Sequence, residues 1–171
     1  MNRPRQPNEP VVRFIADAML GRLARWLRIL GYDTAYEKVI TDEALVEQAV
    51  REDRWLLTRD QNLALRRLLR GRHTLIRSDD VEGQLHQLHR DLKIDLNLTH
   101  QRAYRCADCN VTLTASSHDD AASLVPPFVA EQYRAFLQCP HCRRVYWPGT
   151  HWQDLDRRLT AVRARSLDTQ P

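Results

Sequence analysis

Acidic residues follow several apolar runs of this sequence, and their positions point to metal chemistry. Asp17 comes directly after the run 11–16, and Asp60 lies two residues after the run 54–58. The candidate catalytic acids are Asp17, Asp42, Glu43, Asp60, Asp79 and Asp80. Clustered carboxylates need a compensating cation, and Mg²⁺ and Mn²⁺ are hard ions that prefer oxygen ligands. Because such ions activate water in phosphodiester cleavage, the pattern predicts metal-assisted hydrolysis.

The same acids have a structural alternative as helix caps. Each lies at the start of a predicted helix, and Asp is a preferred N-cap residue. Asp79 with Glu82 fits a capping box. For any one position capping is the better interpretation, whereas the recurrence of acids at four strand ends favours a shared site. The pattern alone leaves both interpretations open.

Two CxxC pairs contain every cysteine of the chain. They are Cys106 with Cys109 and Cys139 with Cys142. Four thiolates match the tetrahedral preference of structural zinc. The insert between the pairs exceeds the roughly 15–20 residues of the compact pattern, and we expect it to form the loop or hairpin of a zinc ribbon. We favour zinc over redox dithiols, and a closed four-cysteine site predicts a role in folding rather than catalysis.

Short apolar runs alternate with helical patterns over the first ninety or so residues, and these elements must position the acids. The predicted strands are 11–16, 32–36, 54–58 and 73–77, and the predicted helices are 19–30, 42–53, 62–69 and 81–92. Such alternation is typical of βαβ units and predicts an α/β fold with a parallel sheet covered by helices. In such sheets ligands bind beyond the carboxyl ends of the strands, where the acids lie.

Arginine supplies nearly all the positive charge, because the only lysines are Lys38 and Lys93. The apolar stripe of the first helix leaves Arg22, Arg25 and Arg28 to face solvent or a ligand. With Arg59, these form the candidate set for contacts with phosphates, which the guanidinium fork suits. A solvated helix face is the alternative for each of them.

Composition bounds the remaining possibilities. The 171 residues include 43% hydrophobic side chains, enough for a folded core, and the net charge is +4. No apolar run approaches the roughly 18 residues of a membrane helix, and residues 1–10 lack the apolar core of a signal peptide. We therefore expect a flexible tail over 1–10, a cytoplasmic location and no association with membranes.

Aromatic residues follow the second cysteine pair. Tyr146, Trp147 and Trp152 could stack on bases, but we favour packing of the ribbon against its neighbour. Thr150 with Gln153 fits a capping box for a last helix from about residue 152 to 167.

Several motifs in order resemble the Mut7-C family, a set of PIN-like RNase domains followed by a zinc ribbon. The matching segments are Asp17 with 19–28, 30–33, 56–60, 77–80, the two CxxC pairs, 125–127 and 145–151. The resemblance covers roughly residues 12–160. It implies a PIN-like domain, which we place at 11–95, and a zinc ribbon with a C-terminal helix at 104–165.

The resemblance also implies a metal-dependent ribonuclease that acts on single-stranded RNA. By position, the ligands of Mg²⁺ or Mn²⁺ would be Asp17, Asp42 or Glu43, Asp60, and Asp79 or Asp80. The alternative function is a catalytically silent RNA-binding or adaptor protein that uses the basic helix and the ribbon. The sequence identifies no protein partner or inhibitor.

Overall fold

A computed structural model describes residues 12–98 and 103–167, with side chains described as far as Arg165. The predicted tail over 1–10 and the predicted start of the first strand at Val11 lie outside the described residues. No helix in the described ranges is both long and apolar enough to cross a membrane.

A parallel sheet of four strands confirms the predicted α/β class. The strands are β1 (Phe14–Ala16), β2 (Thr34–Tyr36), β3 (Trp55–Thr58) and β4 (His73–Leu75), in the order β2-β1-β3-β4. β1 and β3 are the central strands, and two separate apolar cores cover the two faces of the sheet. Phe14, Ala16 and Leu57 contribute to one core, whereas Ile15 and Leu56 contribute to the other. This alternation follows from the two-residue period of a strand.

Four helices follow the strands in the first part of the chain. They are α1 (Gly21–Ile29), after a 3-10 turn at Ala18–Leu20, then α2 (Asp42–Arg51), α3 (Gln61–Ala64) and α4 (Val81–Leu92). The predicted helix 62–69 is wrong in its length, because α3 stops at Ala64 and a separate 3-10 turn covers Arg67–Leu69. Leu63 and Leu69 share one apolar cluster, yet they would lie about 120° apart around a continuous helix. The break lets both side chains pack.

The cysteine-containing part of the chain, residues 103–149, is here called the ribbon. Its antiparallel sheet has the order β5 (Thr114–Ser116), β6 (Phe136–Gln138), β7 (Val145–Tyr146). The insert between the cysteine pairs contains the antiparallel pair β5 and β6, as expected of a hairpin, and the connection between these strands forms α5 (His118–Ala122) and α6 (Pro127–Gln132). Pro127 opens α6, where its fixed φ and missing N–H suit the first turn.

The last helix, α7 (Thr150–Leu167), packs against the parallel sheet's own helices rather than within the ribbon. Leu155, Leu159 and Val162 are buried in the core that α1 and α4 form. Arg158 of α7 pairs with Glu82 near the start of α4. The predicted unit 104–165 therefore contains one element whose apolar face belongs to the first core.

Candidate active site and metal site

Asp17 lies at the carboxyl end of β1, half-buried and held by two hydrogen bonds. One carboxylate oxygen accepts from the Ala18 N–H at 2.6 Å, and the other accepts from the Thr58 hydroxyl at 2.7 Å. Thr58, the last residue of β3, is fully buried. The turn that follows β1 thus fixes one oxygen of Asp17, and the neighbouring strand β3 fixes the other.

Asp60 is connected to Asp17 by the hydroxyl of Thr58. The Asp60 N–H donates to Thr58 Oγ1 at 3.0 Å, so one hydroxyl links the two acidic positions. Asp60 Oδ1 caps α3 by accepting from the N–H groups of Asn62 and Leu63. Its Oδ2 accepts no hydrogen bond from any residue that the structure describes. Asp60 therefore acts as an N-cap and keeps one carboxylate oxygen available for a cation.

Asp42 and Glu43 occupy the first turn of α2, where acidic side chains interact favourably with the helix dipole. Both are exposed, Thr41 supplies the cap, and Glu43 pairs with Arg66 at 3.3 Å. These contacts are typical of acidic residues in the first turn of a helix.

Asp79 and Asp80 differ in role, and the predicted capping box is wrong in its register. Asp80, not Asp79, caps α4 by accepting from the Gly83 N–H at 2.8 Å. Hydrogen bonds from the Gly83 backbone and from the Ser78 side chain lower the pKa of Asp80. Asp79 is exposed and pairs with Arg59. Among the described residues, no three acids gather as closely as the cysteine sulfurs do.

The four cysteines form a compact group in which all the sulfur atoms lie within 4.8 Å of one another. Cys106 Sγ and Cys142 Sγ are 3.7 Å apart. Four sulfurs around a zinc ion at about 2.3 Å would be about 3.8 Å apart along each edge. The donor set therefore fits a tetrahedral metal ion such as zinc.

The two CxxC turns have the same geometry. The N–H groups of Cys109 and Cys142 donate to the sulfurs of Cys106 and Cys139 at 3.4 and 3.5 Å. Each turn ends in a residue with left-handed φ, Asn110 at 63° and Arg143 at 62°. Burial acts to raise the pKa of Cys106, but hydrogen bonds from the Tyr146 hydroxyl and from backbone N–H groups outweigh it and bring the value to about 7. Donors aimed at sulfur favour the thiolate, the form that binds metal.

The family model of the Mut7-C RNAse domain matches residues 12–159. The chain belongs to this family. No curated protein and no solved structure gives a significant match. The Mut7-C match extends over both sheets, so the family assignment includes the acidic edge and the cysteines together.

The arginines of this Mut7-C chain separate into exposed and buried ones. Arg22 and Arg25 are exposed on α1, and Arg59 pairs with Asp79. Arg28, in contrast, is only 5% exposed. It donates to the carbonyls of Thr34, Ala107 and Asp108 at 2.9, 3.0 and 2.8 Å. The prediction that Arg28 faces solvent or a ligand is wrong, because its guanidinium joins α1 to β2 and to the ribbon.

Two residues close to the acids in the structure are missing from the sequence-based set. Thr58 links Asp17 to Asp60, and only the register of β1 with β3 reveals this contact. Glu37 directly follows β2, and the pairing of Ala16 with Tyr36 gives Glu37 and Asp17 equivalent positions on neighbouring strands. The sequence does indicate Glu37, since Glu37 follows a predicted strand as directly as Asp17 does.

Proposed function

We propose that this protein is a metal-dependent ribonuclease that hydrolyses single-stranded RNA at the carboxyl edge of its parallel sheet. The family assignment supports a ribonuclease role. The observation that carries the finer proposal is the pair Asp17 and Asp60, joined by the Thr58 hydroxyl at the ends of the two central strands. A PIN-like fold, a cytoplasmic location and the preference for single strands stay predictions.

Oxygen donors at this edge fit a hard cation. Asp60 Oδ2 is available, and Asp17 offers two oxygens whose directions the Ala18 N–H and the Thr58 hydroxyl fix. Glu37 and Asp42 are the further candidates on the β2 side, and Asp79 on the β4 side. A bound Mg²⁺ or Mn²⁺ supplies charge neutralisation at the phosphodiester and an activated nucleophile. Arg22, Arg25 and Arg59 would hold backbone phosphates, which predicts salt-sensitive binding.

The cysteine site has a separate role in this proposal. We infer that its ion is zinc, because the sulfur spacing suits it and the four thiolates leave no open position. Zinc holds the ribbon folded and takes no part in cleavage.

Cleavage of a labelled single-stranded RNA tests the proposal. Wild type is compared with Asp17→Asn and Asp60→Asn, with Mg²⁺ or Mn²⁺ added to zinc-loaded protein so that no chelator disturbs the cysteines. Asn caps a helix as well as Asp does, so Asp60→Asn should fold. We expect the rate to fall by about 100-fold or more in both variants, since even indirect changes at metal sites lower activity by about 10–100-fold.

The exposed Asp119, in the ribbon insert, provides the matched control. Asp119→Asn makes the same change of charge and should leave the rate unaltered. Equal rates in wild type and in both active-site variants would contradict the site assignment. Asp42→Asn and Glu37→Gln, assayed as separate variants in parallel, show which acid binds the cation on the β2 side.

One observation favours the adaptor as a second candidate function. Asp60 and Asp80 cap helices, and Asp79 is paired with Arg59, so several acids already have structural roles. The adaptor predicts that zinc-loaded wild type does not cleave RNA with either metal and that the acid variants still bind it.

A further inference from the structure

A cleft of about 540 Å³ lies between α1, α7 and the ribbon. Arg22 and Arg25 line it from α1, Arg144 and Trp147 from the ribbon, and His151 from α7. The volume falls within the range of small-molecule sites. None of the four candidate metal-binding positions lines this cleft, so it is distinct from the acidic edge.

The wall of the cleft is positively charged. Four arginines line it, namely Arg22, Arg25, Arg144 and Arg158, and no carboxylate side chain does so. Asp108, which does not line the cleft, is shared between Arg25 and Arg144, and Glu82 pairs with Arg158. Arg22 makes no ion pair with any residue in the described ranges. The excess of guanidinium groups over carboxylates suits an anionic ligand.

Aromatic rings line the same cleft. Arg158 lies 4.7 Å from the centre of the Trp26 ring and covers one of its faces. Trp152 meets Tyr104 edge to face, and Trp147 packs on the ribbon core, yet both rings remain half-buried and line the cleft. Gly149 lets Trp147 take this position, because a Cβ there would lie 2.7 Å from the indole Nε1. Partly open rings beside arginines are the features that hold single-stranded nucleic acid.

We infer that this cleft binds a nucleotide of the RNA strand, with its base against Trp147 and its phosphate beside Arg22 and Arg144. The inference rests on the proposed function for its choice of ligand. Helix α1 begins four residues after Asp17, and its cleft-lining residues extend from Arg22 to Ile29. That is about 10 Å along the helix axis. An RNA strand held in the cleft therefore continues toward the acidic edge, and the ribbon becomes part of the substrate site.

Binding without cleavage tests the inference. The Asp17→Asn chain, fully loaded with zinc, is titrated against a fluorescein-labelled ten-nucleotide oligouridine, and anisotropy reports the affinity. We expect Arg22→Glu in this background to weaken binding by about tenfold or more. It should also lower the slope of log affinity against log salt by about one. Trp147→Leu should weaken binding by about fivefold or more without changing that slope.

Matched variants separate binding from folding. Arg67→Glu makes the same charge reversal at an exposed arginine on the α2 side of the sheet, and should leave the affinity within about twofold. Trp147→Phe keeps a ring that can stack and should retain most of the affinity. Zinc content and melting temperature are measured for every variant.

The outcomes distinguish this inference from the nuclease proposal. Unchanged affinity in zinc-loaded Arg22→Glu and Trp147→Leu overturns the inference, even if wild type cleaves RNA. A loss in Arg22→Glu alone also overturns it, since a general electrostatic contact without stacking is not a nucleotide site. Weakened binding in both variants supports the cleft, even if wild type never cleaves RNA and the nuclease proposal fails.

Discussion

Thr58 shows how one uncharged residue organises the candidate active site. Its hydroxyl donates to Asp17 and accepts from the Asp60 N–H, and the residue is fully buried at the end of β3. A hydroxyl can do both at once, which no aliphatic side chain can. The relative placement of the two acids therefore depends on a side chain that carries no charge.

Replacing Thr58 by valine tests this dependence. Valine keeps the shape but removes the hydrogen bond to Asp17, so we expect RNA cleavage to slow by about 10–100-fold. Stability should fall by only about 1 kcal/mol. Thr58→Ser restores the hydroxyl and should recover most of the rate. If Thr58→Val cleaves RNA as fast as wild type, the hydroxyl does not position Asp17.

Arg28 connects three elements through backbone carbonyls. It lies in the last turn of α1 and reaches β2 through Thr34 and the first CxxC turn through Ala107 and Asp108. Burial lowers the pKa of Arg28, yet a guanidinium stays protonated in proteins. The ribbon is thus attached to the parallel sheet by a charged side chain inside the protein.

Arg28→Met should destabilise the fold by about 3 kcal/mol, because buried carbonyls lose a charged donor. Arg28→Lys should not recover this stability, since an ammonium lacks the planar fork that reaches separate acceptors. The matched control is Arg25→Met, one turn away and 58% exposed, where the loss should stay below about 1 kcal/mol. Urea unfolding measures all three, and equal losses for Arg28→Met and Arg25→Met would contradict this role.

Sequence periodicity predicted the parallel sheet and the cysteine site because both depend on local spacing. It could not orient Arg28, although that residue lies four positions after the buried Ala24 and so borders the apolar stripe of α1. The side on which an arginine lies depends on what covers the helix, here the ribbon. The packing of α7 on α4 was not predicted for the same reason. The sequence of an amphipathic helix shows which face is apolar, but not which element packs against that face.

The two sheets are connected because the segment between α4 and α7 forms the ribbon. After α4 the chain stays in the first core as far as Leu98, then builds the ribbon and returns through α7 to pack on α4. Metal bound at the cysteines should therefore stabilise the fold of the ribbon, whereas the parallel sheet is stabilised by its own core. The cleft forms because this return of the chain brings α7 and the ribbon next to α1.

Removal of zinc by a zinc-selective chelator should unfold the ribbon and leave the parallel sheet intact. Binding of structural zinc supplies the folding free energy of small metal domains. Hydrogen exchange should therefore accelerate at Cys109, Asn110 and Arg143, whereas Leu56 and Leu57 stay protected. Added zinc should reverse the change. Loss of protection throughout the chain would show that the two sheets fold as one cooperative unit.

The packing of α7 on α4 has a consequence for how such a protein can diversify. Both of these helices belong to the first core, so the ribbon between them, residues 103–149, forms a cassette whose exchange breaks no strand of the parallel sheet. Under the proposals above, the cassette carries Arg144 and Trp147, while Asp17 and Asp60 stay behind on the scaffold. Substrate preference and catalytic chemistry would then evolve on separate segments of one chain.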